Sequence, residues 1–85
     1  MYKAILGRKA EKSLKKIPGN FQKKIKIAIL ALEENPFCFG TIKLIDYPAA
    51  PYRHRVGDYR ILFQIWEEKK VLLISDIKRR TSTTY

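Results

Sequence analysis

Gly57-Asp58 does more than any other pair of residues to limit what this chain can fold into. It separates two alternating runs, Tyr52-Arg53-His54-Arg55-Val56 and Tyr59-Arg60-Ile61-Leu62-Phe63, and reads as the loop of a β-hairpin. Glycine at the first central position supplies the positive φ of a type II′ turn. A two-residue loop leaves one register: Val56 opposite Tyr59, Arg55 opposite Arg60, Arg53 opposite Leu62. Side chains alternate along a strand, so this register sorts them onto two faces. Tyr52, His54, Val56, Tyr59, Ile61, Phe63 and Ile65 take the core face. Arg53, Arg55 and Arg60 take the other.

That second face is costly. Arg55 and Arg60 as a direct cross-strand pair bring like charges to about 5 Å at the Cβ atoms. At an effective dielectric of about 20 the repulsion approaches 3 kcal/mol, less as the side chains splay into water. Local rules broken without local compensation are expected where a site binds something. Two readings stand: a solvated basic face, or a site for a polyanion such as phosphate.

Charge bears on that choice. Eighteen Lys and Arg against eight Asp and Glu give a net charge of +10, a footprint of nucleic-acid binding. Apolar runs are far too short to span a bilayer, and no long basic amphipathic helix follows, so no membrane partner is expected. The start of the chain reads as a strand, not as a signal peptide. Cys38 is the single cysteine, so no internal disulfide forms and a reduced, cytoplasmic setting is expected. Metal ligation is not expected either. There is one His and one Cys, and Asp46, Asp58, Glu67, Glu68 and Asp76 are scattered over turns and a strand.

The remaining elements follow from periodicity. Tyr2 to Leu6 is a short apolar strand. From about Arg8 to Ile17, Ala10, Leu14 and Ile17 form one helical stripe among lysines. Pro18-Gly19-Asn20 stops that helix, and Asn20 is the expected cap of the next. The second helix runs from about Phe21 to Glu34, with Phe21, Ile25, Ala28, Ile29 and Leu32 inward. Lys23, Lys24 and Lys26 crowd its early turns, where cations oppose the helix dipole. They serve either RNA binding or solubility. Asn35-Pro36 ends the helix. Strands follow at Thr41–Ile45, through the hairpin to Trp66, and at Val71–Ile77, with a proline-containing loop at Asp46–Pro51 and a turn at Glu67–Lys70.

The order β-α-α-β-β-β-β predicts a single α+β domain over residues 1–85. A helical hairpin covers one face of a largely antiparallel sheet of four to five strands. With Trp66 opposite Val71, a regular ladder sets Arg60 opposite Ile77. Lys78 and Arg79 then emerge beside the arginine face, followed by the basic tail Arg80-Thr81-Ser82-Thr83-Thr84-Tyr85. Arg53, Arg55, Arg60, Lys78, Arg79 and a phenol converge there. His54 is tempting as a general base, but alternation points it inward, as a structural histidine.

These residues resemble a known family. Tyr-Arg-x-Arg-Val-Gly-x-Tyr-Arg over Tyr52–Arg60, an apolar strand, then Lys-Arg-x-x-Ser-x-x-Tyr over Lys78–Tyr85 is similar to the RelE/ParE toxins. The basic tail ending in tyrosine favours the RelE branch, and the element order agrees over essentially the whole chain. The resemblance implies a RelE-like fold and a type II toxin held inactive by a cognate antitoxin. Members of that branch cut mRNA in the ribosomal A site without metal or other cofactor. A 2′-hydroxyl attacks its neighbouring phosphate and leaves a 2′,3′-cyclic phosphate. Arg53 and Arg55 fall where relatives place basic residues before the turn, and Arg60 matches the arginine after the turn tyrosine. Arg79 matches the tail arginine at the scissile phosphate, with Arg80 its neighbouring candidate. Tyr85 matches the terminal tyrosine that stacks on a base or moves a proton. Some relatives carry lysine at the Arg53 and Arg55 positions, one of them a candidate base, and arginine is a poor base. That leaves Tyr85, then Lys78, as proton acceptors. The alternatives are a ParE-like gyrase inhibitor and a nonenzymatic nucleic-acid-binding domain.

Overall fold

The computed structural model describes residues 1–38, 40–43 and 51–79. Leu44 and Ile45 of the second expected strand, most of the loop after it, Arg80 and Tyr85 lie outside them. The elements come in the expected order: β1 (Lys3–Leu6), α1 (Arg8–Lys15), α2 (Gly19–Glu34), β2 (Thr41–Lys43), β3 (Tyr52–Val56), β4 (Tyr59–Trp66) and β5 (Val71–Arg79). The sheet order is β1-β5-β4-β3-β2, antiparallel except for the parallel β1–β5 pair.

Both helices turn apolar stripes to one face of the sheet. Ala10 from α1 and Ile25 and Leu32 from α2 are fully buried against Ile61, Phe63, Leu72 and Ile74. The start of α2 departs from expectation. Its cap is Pro18, with no side-chain hydrogen bond, and Asn20 lies exposed in the first turn. Proline fixes φ near the value observed, −55°, so the chain enters the helix without a polar cap. α1 stops at Lys15, two residues early, while Ile17 remains buried beyond it. Gln22 closes that end: its Nε2 donates to the carbonyls of Leu14 and Ile17 at 2.9 and 2.8 Å. Those carbonyls are among the groups a helix end leaves without intrahelical partners.

β1 is an edge strand, and edges invite further pairing. Here Glu33 of α2 blocks it. The Tyr2 N–H donates to the Glu33 carbonyl at 2.8 Å, and the Ala4 N–H donates to its carboxylate at 2.7 Å.

The β3–β4 register is the one that the turn dictates, with Arg53↔Leu62, Arg55↔Arg60 and Val56↔Tyr59. Gly57 has φ +57°. The β4–β5 ladder is not regular. It begins as expected at Trp66↔Val71, but Phe63 pairs with Ile74 and Leu62 with Asp76, so Ser75 is an extra residue. This bulge corrects the expected pairing: Arg60 lies opposite Lys78, not Ile77, and Ile77 faces Ile61 in the core. Asp76 explains the shift. A regular ladder would set its carboxylate opposite Ile61, inside an apolar core. In the bulge it accepts hydrogen bonds from the Ser13 hydroxyl and the Ile77 N–H, both at 2.8 Å, with Lys9 Nζ at 3.6 Å.

Two expectations follow. Gly57→Ala should destabilise the protein by about 1–2 kcal/mol, the cost of a left-handed conformation for a residue with Cβ. Asp76→Ala should cost about 1–3 kcal/mol, because it strands a buried backbone donor. Urea unfolding followed by circular dichroism measures both.

Candidate nucleic-acid interface

Cross-strand partners share a face, so the register draws the surface opposite the helices. One row runs Arg55–Arg60–Lys78 across β3, β4 and β5. The next runs Ile42–Arg53–Leu62 from β2. Arg55 and Lys78 are exposed, whereas Arg53 and Arg60 are half-buried. The Arg55 N–H donates to the Gly40 carbonyl on the β2 side, so Arg55 and Arg60 form a non-hydrogen-bonded pair, the closer kind. The Arg55 guanidinium eases the crowding by turning toward the loop, where Nε donates to the Gly57 carbonyl at 3.3 Å. Leu62, 5% exposed, gives this basic face an apolar floor.

Not every expected residue joins that row. Arg79 pairs with Tyr59, so it points to the helix side of the sheet, at its rim. Tyr59 packs on Phe21 with ring centroids 5.5 Å apart, and Lys24 Nζ lies 5.6 Å from the Phe21 ring centre. Arg79 therefore borders the first turns of α2. Lys23, Lys24 and Lys26 are exposed on a helix that packs on the core face, across the sheet from the arginine row. Arg80 and Tyr85 lie outside the described residues. Asp76 figured in the sequence only as one of several scattered carboxylates, although its place inside the apolar run Val71–Ile77 was a signal.

His54 sits where alternation points it, 8% exposed on the core face. Its Nδ1 is 2.9 Å from the Thr41 hydroxyl and 3.9 Å from Cys38 Sγ. Burial lowers its pKa from 6.5, favouring the neutral ring. Gly40, at φ +102°, permits this: a Cβ there would lie 3.2 Å from the imidazole. At the other end of the sheet, Tyr2 donates to Glu67 at 2.7 Å while Lys70 Nζ sits 4.9 Å from the Tyr2 ring centre. The bond to Glu67 raises the phenol's pKa, and the same bond lowers that of Glu67. These contacts fasten β1 to the β4–β5 turn. Among the described residues, no cluster of His, Cys, Asp or Glu could hold a metal ion. None of the described helices is long and apolar enough to cross a membrane.

The model of the ParE toxin of type II toxin–antitoxin systems, parDE, matches residues 4–83. The chain belongs to that family. As a ParE-family chain of the RelE/ParE superfamily it is a type II toxin, and its structural relatives are RelE proteins. It superposes on the archaeal RelE–RelB complex from Pyrococcus horikoshii with a TM-score of 0.80 at 27% identity, covering 96% of this chain and 98% of that one. The RelBE2 toxin–antitoxin complex from Mycobacterium tuberculosis gives 0.81 at 24% identity, covering 93% and 98%. The isolated E. coli RelE toxin gives 0.82 at 20%, covering 99% and 89%. No curated protein sequence matches the chain.

The His54 environment yields a pH prediction. Its folded pKa lies below the unfolded value, so the unfolded state binds more protons, and stability falls as pH drops below about 6.5. Urea midpoints between about pH 7.5 and 5.5 should decline in the wild type, and less steeply in His54→Asn, once each is referenced to its own neutral value.

Proposed function

We propose that this toxin is a ribosome-dependent endoribonuclease that cleaves mRNA in the A site without metal and so inhibits translation. The observation that carries the reading is the cross-strand row Arg55–Arg60–Lys78, with Arg53 beside it, on the face opposite the helices. A row of three cations suits a phosphate whose charge rises during reaction. The 2′-oxygen forms a bond to phosphorus, and the bond from phosphorus to the 5′-oxygen breaks. The 2′ proton goes to a base, and the departing oxygen takes one up. Arg60 stabilises the phosphorane charge from the row, with Arg53, Arg55 and Arg80 supporting, and Arg79 contacts the strand from the opposite rim. Tyr85 takes the proton, and Lys78 is the alternative acceptor. Preorganised donors of this kind contribute about 10²–10³ in rate each.

The partners on this reading are the ribosome with its mRNA and a cognate antitoxin. The known complexes that this fold resembles hold RelB beside RelE. An acidic, largely disordered antitoxin segment suits a chain of net charge +10 and would wrap the helical hairpin or sheet edge. Lys23, Lys24 and Lys26 lie on the hairpin and serve ribosomal RNA or that antitoxin.

A second reading has one specific observation behind it: the matching family model is that of the ParE toxin. A gyrase inhibitor would need no row of phosphate-binding side chains. Purified ribosomes programmed with a defined A-site codon, read by primer extension, separate the two. Arg60→Ala should slow single-turnover cleavage by about 10²-fold or more, and Arg79→Ala, at the opposite rim, by less, each with an unchanged circular dichroism spectrum. Tyr85→Phe should lose a similar factor, and the wild-type rate should climb above neutral pH until the phenol ionises. No cleavage by wild type, together with inhibition of gyrase supercoiling, favours the second reading.

A further inference from the structure

The basic face does not end at the arginine row. Along β4 the same face carries Arg60, Leu62, Gln64 and Trp66, and the last row runs Trp66–Val71–Lys3 across to β1. Trp66 is 44% exposed, at a position six residues from Arg60. At about 3.3 Å per residue it lies about 20 Å from the cationic row, a distance that a few nucleotides of single strand span. Its indole is not loose. Nε1–H donates to Gln64 Oε1 at 3.1 Å, which tips the ring back along β4 toward the arginines. A groove of about 470 Å³ runs beside it, lined by Ile65, Trp66, Glu67, Glu68 and Lys69. Glu67 is already engaged by Tyr2 and Lys70, and Lys3 lies on the same face, two strands away.

We propose that Trp66 is a stacking platform for an unpaired nucleobase of the RNA whose backbone lies on the Arg55–Arg60–Lys78 row. The proposal rests on the nucleic-acid reading of that row. An indole held by its own N–H offers a flat, preorganised surface, and stacking accepts any base because every base has a π face. The continuity of this face with a cationic row, on a chain of charge +10, favours RNA over an apolar protein segment. Such a platform adds affinity without sequence preference and holds the strand away from the reacting phosphate.

Trp66 is the sole tryptophan of the chain, so its emission reports on itself. The test titrates the full chain with a short unstructured oligoribonucleotide, 2′-O-methylated to prevent cleavage, at low and raised salt. Binding is read by anisotropy and by tryptophan quenching. Quenching that parallels binding is expected, along with an affinity loss of about tenfold in Trp66→Ala and near-wild-type affinity in Trp66→Phe. Polyphosphate should displace the RNA and restore the emission, since it carries charge but no ring. Arg60→Ala reports separately on the cationic row. If it weakens binding while Trp66→Ala binds as wild type without quenching, the platform is overturned and the row stands. No binding by wild type overturns both. Emission that responds only to an antitoxin peptide assigns this surface to protein and overturns the proposal.

Discussion

The Asp76 carboxylate ties helix, sheet and cationic row together. It is 5% exposed, in a strand whose neighbours Ile74 and Ile77 fill the core. A charged group in that setting is costly unless it is hydrogen-bonded. The fold meets the cost by letting one residue out of the ladder, which turns Asp76 to Ser13 of α1 and to the Ile77 N–H. The bonds to Ser13 and Ile77 outweigh the contact with Lys9, whose side chain is 73% exposed and largely screened. The consequence lies three residues away. With Asp76 out of phase, Ile77 returns to the core, Lys78 joins Arg60, and Arg79 is sent to the opposite rim. A buried polar requirement thus sets the composition of an exposed surface.

Much of this architecture was legible because short-range chemistry dictates it. Gly57-Asp58 determines the β3–β4 register, and with it the identity of both faces of the hairpin. Helical spacing identified the inward residues of both helices, since a 3.6-residue period leaves little freedom about which stripe packs. The bulge was hidden for the opposite reason. A carboxylate in the apolar run Val71–Ile77 hints at an irregularity, but nothing local places it at Ser75, because the deciding bond comes from Ser13, 63 residues away. The cap of α2 misled for a smaller reason. Pro18 and Asn20 both suit a helix start, and the fixed φ of proline prevailed over a side-chain acceptor. Of the candidate site, the arginines were visible as a violation of pairing rules, whereas the face occupied by Arg79 depended on the bulge.

The two faces of the sheet divide the work. The helix face holds the apolar mass, and burial there lowers the pKa of its single imidazole. The opposite face concentrates cations on a floor of Leu62 and half-buried stems. Arg55 and Arg60 are set at the closer cross-strand spacing, where repulsion is largest. Splaying one guanidinium onto the Gly57 carbonyl lowers that repulsion without removing it. A bound anion, as the proposed function requires, would relieve self-repulsion of this kind. A face built only for solubility gains nothing from such crowding, since the same charges spaced apart would serve as well.

On the proposed mechanism, relatives with lysine before the turn have an amine near the phosphate, and this chain has Arg53 and Arg55 in its place. A guanidinium exchanges proton transfer for a planar, multidentate grip on phosphate oxygens. The site then leans further on charge stabilisation and geometry, and less on a strong base. In-line attack by the 2′-oxygen depends on how the strand is held on either side of the scissile bond. A sheet face that grips the backbone at one end and a base at the other holds the strand by two points, which fixes its direction as well as its position. Two points on strands of one sheet set that geometry more sharply than one point can alone.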